Sequence, residues 1–334
     1  MPAISRQPLA GKREAAHAAA SLPPAKCIPM IQDSNGSGEP LADRRADYAA
    51  RLAEDGAFAA AADLMRQALD LAPGWAAGWV VLGGFLECAD MTGDALDAYR
   101  QAAALDAADG HGARMKLAAL GAAPLPASAP PAFVRGLFDQ YADRFETSLV
   151  DRLGYGAPLQ LIGALGAVAG PHRRFAEVLD LGCGTGLMGE RLRPTAGNLT
   201  GVDLSAGMLD KARRKKIYDR LVESDVVGFG AGTQHYDLVT AADVLIYIGD
   251  LAPLFAGVAT ALAPGGLFTF SVETHDGEAP YALGPSLRFA HAPAAVEAML
   301  DDCAMRMLSK QSVVLRQDRG EAVMGMIFVA GSGS

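Results

Sequence analysis

A glycine-rich run follows one apolar segment and is the strongest chemical signal in the chain. Residues 178–181 (VLDL) lead into Gly182, Gly184 and Gly186, which gives the pattern D-x-G-x-G-x-G. Glycines permit positive φ and let a ligand approach the backbone. The dinucleotide fingerprint G-x-G-x-x-G needs a third glycine at position 187, which is Leu here. The run therefore predicts a nucleotide-like ligand and disfavours an NAD-dependent dehydrogenase.

The acid that precedes these glycines indicates a ligand with positive charge. No pyrophosphate-binding turn needs an acid at Asp180, two residues before the first glycine. S-adenosylmethionine has no phosphate, but it carries an ammonium and a sulfonium group. Asp180 would hold its cationic amino-acid end, directly or through water.

Two further acids and one apolar residue follow the next strand-like segments. Asp203 lies 21 positions after Gly182, where an acid accepts hydrogen bonds from both ribose hydroxyls. NAD enzymes share that feature. Leu204 would lie against the adenine. Asp225 follows a third short strand and would accept from the adenine amino group, unless it is a surface residue in a turn.

Candidate catalytic residues lie further along the chain. If the ligand is S-adenosylmethionine, the reaction is methyl transfer, which mainly requires alignment of the reactants and exclusion of water, so we expect no covalent nucleophile and no metal. A base is needed only if the acceptor must lose a proton. The candidates are Asp243, at the end of a fourth strand, and His275 and His291, with Glu273 less favoured. Arg288 could pair with an acidic substrate or form a surface salt bridge.

These residues must be positioned by an α/β sheet. From residue 175 onward strand-like and helix-like runs alternate, which predicts a mostly parallel sheet with helices on both faces. The expected strands are EVLDL, LTGVD, YDLVTAADVLI, GLFTFSVE and the closing AVMGMIFVA.

Residues 41–121 have a different, helical pattern that repeats. One set of small and large residues fits a tetratricopeptide repeat, and a second set lies 34 positions earlier. The first set is Trp79, Leu82, Gly83, Leu86, Ala95, Tyr99 and Ala102; the second is Arg45, Tyr48, Ala49, Leu52, Ala61, Met65 and Ala68. Residues 110–121 would form a closing helix. Two repeats are few for independent stability, so the unit is expected to lean on its neighbour. An ordinary helical hairpin is the alternative.

The remaining segments frame these two domains. Residues 1–40 predict a disordered tail, although translation starting at Met30 and a transit peptide are alternatives. Residues 122–132 are a proline-rich, extended linker. The helical stretch after it carries Phe138, Tyr141 and Phe145 at helical spacing. We expect it to cover the ligand, with Tyr141 touching the amino-acid end of the cofactor, unless the three rings are plain core.

Composition excludes several classes of protein. The 334-residue chain has a net charge of −9, which argues against general nucleic-acid binding; the basic run at 211–216 is expected to be a solvated helix face. The four cysteines (Cys27, Cys88, Cys183 and Cys303) show no CxxC spacing, which fits a reducing compartment. No apolar run is long enough to cross a bilayer. We therefore expect a soluble, cytoplasmic protein.

Taken together, residues 133–330 resemble a class I S-adenosylmethionine-dependent methyltransferase. Residues 40–330 resemble the bacterial TPR-repeat methyltransferases. The segments that carry the likeness are LFDQYADRFETSLVDRLGY, VLDLGCGTGL, GVDLSAGML, TAADVLIYIGDL, GGLFTFSVE and GPSLRFAH. The resemblance implies a Rossmann-like, seven-stranded sheet with one antiparallel strand near the C-terminus, behind a TPR-like helical domain.

The same resemblance implies S-adenosylmethionine as cofactor, but it does not imply an acceptor. A small-molecule substrate is favoured. One alternative is a protein substrate recruited through the repeats, and another is a non-catalytic scaffold that binds the cofactor. The intact glycine motif argues against the scaffold, and the short repeat array argues mildly against a protein substrate.

Overall fold

The computed structural model of the chain describes residues 36–141, 156–229, 234–318 and 321–333. Up to residue 119 the secondary structure of this part is entirely helical. Its helices are α1 (Pro40–Glu54), α2 (Phe58–Leu71), α3 (Ala76–Cys88), α4 (Thr92–Leu105) and α5 (Ala113–Ala119). None of the helices in the described ranges is both long and apolar enough to span a membrane.

The first four helices pack in two pairs through small residues. Helix α1 packs against α2, and α3 packs against α4. A Cβ atom added to Gly83 would lie only 2.7 Å from Cζ of the buried Tyr99, so the close approach of α3 and α4 requires glycine there. Ala95 and Ala102 of α4, which are also repeat positions, are buried.

The linker is attached to the sheet domain rather than spanning open solvent. The N–H of Ala129 donates to the carbonyl of Tyr247 (2.8 Å), and the N–H of Gly249 donates to the carbonyl of Ala127 (2.8 Å). Helix α6 (Pro131–Tyr141) begins two residues before the expected domain boundary because proline suits the first turn of a helix. Helix α7 (Ala157–Ala169) is the last element before the sheet.

Strands and helices then alternate, as the apolar runs predict. The elements are β1 (Phe175–Leu181), α8 (Leu187–Leu192), β2 (Ala196–Asp203), α9 (Ala206–Lys215), β3 (Arg220–Glu223), β4 (Tyr236–Ala241), α10 (Ala252–Ala261), β5 (Leu262–Thr274), β6 (Tyr281–Leu283), β7 (Phe289–His291), α11 (Pro293–Asp302), β8 (Met305–Asp318) and β9 (Glu321–Ser332). The expected fourth strand is too long by five residues. It ends at Ala241 because Asp243 has φ +57°, and a 3₁₀ turn, Leu245–Tyr247, follows.

Nine described strands form one mixed sheet, where seven were expected. Strands β3, β2, β1, β4 and β5 are adjacent in that order and parallel. Strand β9 pairs antiparallel with β5, as expected near the C-terminus, and β8 pairs with β9. The two additional strands are β6 and β7, a hairpin of two three-residue strands between β5 and α11.

The hairpin lies directly beyond the carboxyl end of β4. Glu273 of β5 pairs with Gly325 of β9 and with Ala290 of β7, so β9 and β7 must occupy opposite edges of β5. Strand β4 pairs with β5 only as far as Phe270. The β6–β7 hairpin therefore continues the β4 side of β5 from Glu273 onward.

The helical region and the sheet domain share a hydrophobic cluster. Met115 of α5 and Phe133 of α6 pack there with Ile246, Tyr247 and Phe289. Each sheet residue in the cluster follows β4 or belongs to β7. The helical region is therefore joined to the sheet domain at the carboxyl end of β4.

Candidate active site

A cleft of about 530 Å³, partly open to solvent, lies at the carboxyl ends of β1, β2 and β4. In an open parallel sheet this edge is where ligands bind, near the point at which strand order reverses. The lining residues come from the linker, α6, the turn after β1, the ends of β2 and β3, and the exit of β4. They are Ser128, Ala129, Pro131, Val134, Phe138, Gly182, Asp203, Leu204, Asp225, Val226, Val227, Val244, Tyr247 and Ile248.

The glycine-rich turn reaches this cleft through its first residue, Gly182. Gly182, Gly184 and Gly186 have φ values of +65°, +53° and +96°, which only glycine adopts without strain. A Cβ atom on Gly182 would lie 2.6 Å from Cβ of Val244 at the exit of β4. The first glycine is therefore required both by its backbone conformation and by the close approach of β1 and β4.

Asp203 ends β2 and presents its carboxylate to the cleft. Its Oδ2 accepts from the N–H of Gly184 (2.9 Å), and its Oδ1 accepts from the N–H of Ser205 (2.9 Å). Only 9% of the residue is exposed, and burial raises the pKa of the carboxyl group. Each oxygen keeps a second lone pair, so the group can accept from two neighbouring hydroxyls such as a ribose diol.

Leu204 and Asp225 line the same end of the cleft. The Oδ1 atom of Asp225 accepts from the N–H of Val227 (2.9 Å), which holds the carboxylate at the exit of β3. Leu204, Val226 and Val227 supply apolar surface around it. A flat heterocycle with an exocyclic amino group fits such surroundings.

Asp180 does not line the cleft. It is fully buried in β1, where it accepts from the hydroxyls of Tyr218 (2.6 Å) and Thr240 (2.7 Å). Burial raises the pKa of its carboxyl group to about 6. The sequence predicts an acid that holds the ligand's amino-acid end, whereas the structure places this acid in a hydrogen-bond network below the glycine turn.

Asp243 follows β4 in a strained conformation and is engaged by an arginine. Its N–H donates to Oγ of Ser271 (2.9 Å), and its two carboxylate oxygens accept from Nη1 of Arg316 at 3.1 and 3.3 Å. Nη2 of Arg316 donates to Glu273. Burial raises the pKa of Asp243, although Arg316 and Arg288 oppose that effect. Val244, the next residue, is the one that reaches the cleft.

The two candidate histidines lie beside β5 rather than in the cleft. His291 is fully buried, and its Nε2 faces the carbonyls of Ile248 (2.9 Å) and Gly249 (3.1 Å). Burial lowers its pKa to about 4. Nδ1 of His275 accepts from the N–H of Gly277 (3.0 Å). Neither ring is among the groups that line the cleft.

Helix α6 closes one side of the cleft. Val134 and Phe138 line it, and the Phe138 ring meets the Tyr247 ring edge-on, with centroids 5.4 Å apart. Asp139 accepts from the hydroxyl of Ser205 and from the N–H of Gly207 (3.4 Å). Tyr141 is the last residue of the helix; its side chain and Phe145 lie outside the described part of the chain.

Arg316 and the β6–β7 hairpin carry no signal that can be recognised in the sequence. Arg316 lies 73 positions after Asp243, and no local pattern links the two residues. The hairpin strands are too short for a periodic signal. The apolar walls formed by Val244 and Tyr247 were also missed, because an apolar strand exit looks like core.

The composition of the cleft fits S-adenosylmethionine better than a dinucleotide. Its described lining contains two carboxylates, Asp203 and Asp225, and neither lysine nor arginine. A pyrophosphate would meet no cationic side chain there. A nucleoside that bears a positive charge is compatible with the two acids. The sheet and this cleft define a Rossmann-like, nucleoside-binding α/β domain.

Comparison with known proteins identifies the kind of domain. Residues 179–268 match the family described as methyltransferase domain. The malonyl-(acyl-carrier protein) O-methyltransferase of Enterobacter lignolyticus (strain SCF1) is 34% identical over 106 residues, which cover 32% of this chain and 42% of that protein. Nodulation protein S of Rhizobium tropici is 35% identical over 102 residues, 29% of this chain and 42% of that protein.

The similar solved structures are more distant in sequence. The 1,6-didemethyltoxoflavin-N1-methyltransferase of Burkholderia thailandensis, crystallised with S-adenosylhomocysteine, is 21% identical with a TM-score of 0.47, over 63% of this chain and 93% of that one. The chain spans about two fifths of the length of the curated relatives it matches. Residues 179–268 therefore form an S-adenosylmethionine-dependent methyltransferase domain.

Proposed function

We propose that the whole protein is a methyltransferase that transfers the methyl group of S-adenosylmethionine to a small molecule. The observation that carries the proposal is the cleft itself, where Gly182, Asp203 and Asp225 meet and where no cationic side chain is among the described lining residues. Relatives named for ubiquinone biosynthesis support a small-molecule acceptor.

The proposed binding mode follows the order of the strands. Asp203 would accept from the ribose hydroxyls, Leu204 would pack on the adenine, and Asp225 would accept from its amino group. Gly182, Gly184 and Gly186 would let the ligand lie against the backbone. Asp180 would act indirectly, because its carboxylate accepts hydrogen bonds from Tyr218 and Thr240 and does not face the cleft. Tyr141 stays a prediction for the amino-acid end.

The reacting end would lie beside Val244 and Tyr247. The bound cofactor supplies an electrophilic methyl group, and the chain has to exclude water and align the acceptor. Phe138 and Tyr247 form an apolar wall suited to that task. Asp243 and His275 stay candidate bases. His291 would act as a positioning residue, because its ring is enclosed and holds the backbone at Ile248 and Gly249.

We further propose that α1–α5 are a TPR-like unit and that the chain belongs with the TPR-repeat methyltransferases. The support is the tight contact of Gly83 with Tyr99 and the burial of Ala95 and Ala102, although Tyr48, 34 positions before the buried Leu82, is 60% exposed. Met115 in α5 packs against the sheet domain, so the unit contributes to the wall behind Tyr247. A cytoplasmic location also stays a prediction.

Calorimetry and a labelled-methyl screen test the proposal. S-adenosylmethionine and S-adenosylhomocysteine should bind, whereas NAD should not. Incubation of the protein with methyl-labelled cofactor and fractionated extracts should label a metabolite rather than a protein. Binding of NAD without either sulfur ligand would refute the assignment. Labelling of a protein alone would favour recruitment through the repeats.

A further inference from the structure

The β6–β7 hairpin carries Arg288, which does not itself line the cleft but interacts with Tyr247, one of the lining residues. The strands are joined by a tight turn in which the N–H of Gly284 donates to the carbonyl of Arg288 (2.9 Å). Arg288 therefore stands at the base of the turn, directly before β7. Because the hairpin lies beyond the end of β4, this position is past Val244 and Tyr247, on the side of the cleft away from Asp225.

The donors of Arg288 are largely unused by the described residues. The guanidinium is partly buried and interacts with the hydroxyl of Tyr247, a residue that lines the cleft. Asp243 and Glu273 are close enough to act on it electrostatically, but neither is within ion-pair distance, nor is any other described carboxylate. A guanidinium has five N–H donors, so most of them have capacity for a ligand.

A second arginine, Arg316, forms ion pairs with the two acids. Arg316 is 3% exposed and pairs with both Asp243 and Glu273. Its Nε is buried and has no hydrogen-bond partner among the described residues. No carboxylate oxygen of Asp243 or Glu273 is both buried and without a partner. The unsatisfied buried group in this cluster is therefore a donor, and a donor requires an oxygen acceptor.

We propose that Arg288 binds a carboxylate of the methyl acceptor, which makes the substrate of this enzyme a small organic acid. The inference rests on the proposed function and names its substrate class. The planar fork of arginine matches a carboxylate with two parallel hydrogen bonds, and the Tyr247 hydroxyl lies beside it.

The charges around the site favour a monoanion over other ligands. Arg288 and Arg316 balance Asp243 and Glu273, so the four groups sum to zero. A phosphate dianion would bring two negative charges close to two carboxylates. A cationic amine would be repelled by Arg288, and both nearby acids already accept hydrogen bonds from Arg316.

Matched probes of different charge test the proposal at equilibrium. The full chain is saturated with S-adenosylhomocysteine and titrated, with ligand-observed NMR, with benzoate, benzamide and benzylamine and with octanoate, octanamide and octylamine. At least one acid should bind, and its amide and amine should bind at least about tenfold more weakly, the loss expected when charge-assisted hydrogen bonds are removed.

Two variants of Arg288 and one control connect this binding to the residue. Arg288→Gln should weaken acid binding about tenfold or more, and Arg288→Lys should weaken it less, because lysine keeps the charge but not the fork. The exposed Arg306 on β8 serves as the control, and Arg306→Gln should bind the acid like the native protein. If Arg288→Gln does not fold, the Lys variant decides the question.

The outcomes separate this proposal from the proposed function. Failure of S-adenosylhomocysteine to bind would refute the function. Normal cofactor binding with no acid bound, with an amine bound instead, or with acid affinity unchanged in both Arg288 variants would refute the carboxylate site alone.

Discussion

Gly182 and Val244 are packed so closely that a side chain on Gly182 would collide with Val244. The positive φ of Gly182 and the 2.6 Å approach to Val244 are separate constraints, and a substitution tests both. Gly182→Ala should destabilise the protein by more than the roughly 1–2 kcal/mol that a left-handed backbone costs. It should also weaken S-adenosylhomocysteine binding about tenfold by moving the turn. Thermal unfolding and calorimetry measure the two effects.

Gly265 provides the matched control for that substitution. It has φ +73°, but a Cβ atom there would meet nothing within 4 Å. Gly265→Ala should therefore show the backbone cost alone and leave cofactor affinity unchanged. Addition of Val244→Ala to Gly182→Ala should recover part of the lost stability. Equal behaviour of the two alanine variants would show that the contact with Val244 is unimportant.

Asp203 is the residue on which the cofactor assignment most depends. Replacement by alanine removes the acceptor for two ribose hydroxyls and should weaken S-adenosylhomocysteine binding by about 1–3 kcal/mol. The N–H groups of Gly184 and Ser205 also lose their partner, so the melting temperature should fall as well. Asp210→Ala, on the exposed face of α9, is the control. Unchanged affinity in Asp203→Ala would remove this residue from the site.

The buried Asp180 should give the protein a distinctive pH dependence. Its pKa is raised from 3.8 to about 6, so the folded state holds this proton more tightly than the unfolded chain does. Its ionisation therefore lowers stability as the pH rises from about 4 to about 6. Relative to Asp180→Asn, the native protein should lose roughly 2–4 kcal/mol of unfolding free energy across that window.

The variant comparison isolates Asp180 from the other buried groups with shifted pKa values, which include Asp203, Asp243 and His291. His291 has a pKa lowered to about 4, so its contribution is lost as the pH falls, but it is present in both proteins and cancels in the difference. Chemical denaturation at several pH values gives the two curves. A difference that is independent of pH would show that Asp180 titrates as an ordinary carboxyl group.

Among the elements, α6 forms one side of the cleft, and we expect its position to control access for the ligand. Asp139 ties it to the start of α9 through Ser205 and Gly207, and the helix places Val134 and Phe138 on the cleft. Asp139→Asn should weaken this attachment and speed the release of S-adenosylhomocysteine roughly tenfold, since hydrogen bonds to a charged group are lost. Stopped-flow displacement measures the rate.

The alternative is that the aromatic side chains of α6 only pack in the hydrophobic core and do not cover the ligand. In that case Asp139→Asn would lower the melting temperature and leave the release rate unchanged. Asp210→Asn should alter neither quantity, because Asp210 pairs with Arg213 on the exposed face of α9. Hydrogen exchange across residues 131–141 should slow when S-adenosylhomocysteine is added if the helix opens to admit the ligand.

The elements also show what the sequence could and could not predict. Strands β1, β2, β4, β5 and β9 are recognisable because buried parallel strands and their neighbours form apolar runs. Strand β8 lies at the edge of the sheet and contains many polar residues. Strands β6 and β7 have three residues each. None of the three therefore shows an apolar run in the sequence. The glycine turn and Asp203 carry local signals, whereas the pairing of Arg316 with Asp243 depends on contacts between distant segments.

At the scale of the whole molecule, the helical region and the sheet domain meet behind the reacting end of the cleft. Phe133 is central to this interface: it packs with Met115 on one side and with Tyr247 and Phe289 on the other. A Cβ atom on Gly112 would lie 2.8 Å from its ring, so the helical region fits closely around it. The two parts of the chain should therefore unfold together.

Phe133→Ala tests whether the domains are coupled. Loss of a buried ring should cost about 3–5 kcal/mol and split a single calorimetric transition into two, because the helical region loses its anchor. Cofactor affinity should fall as well, since Tyr247 belongs to the same cluster and lines the cleft. Leu125→Ala, at an exposed linker position, should change unfolding by no more than about 0.5 kcal/mol. If Phe133→Ala instead unfolds in one transition with native cofactor affinity, the interface holds the two domains together without acting on the site, and Tyr247 must be positioned from the hairpin side alone.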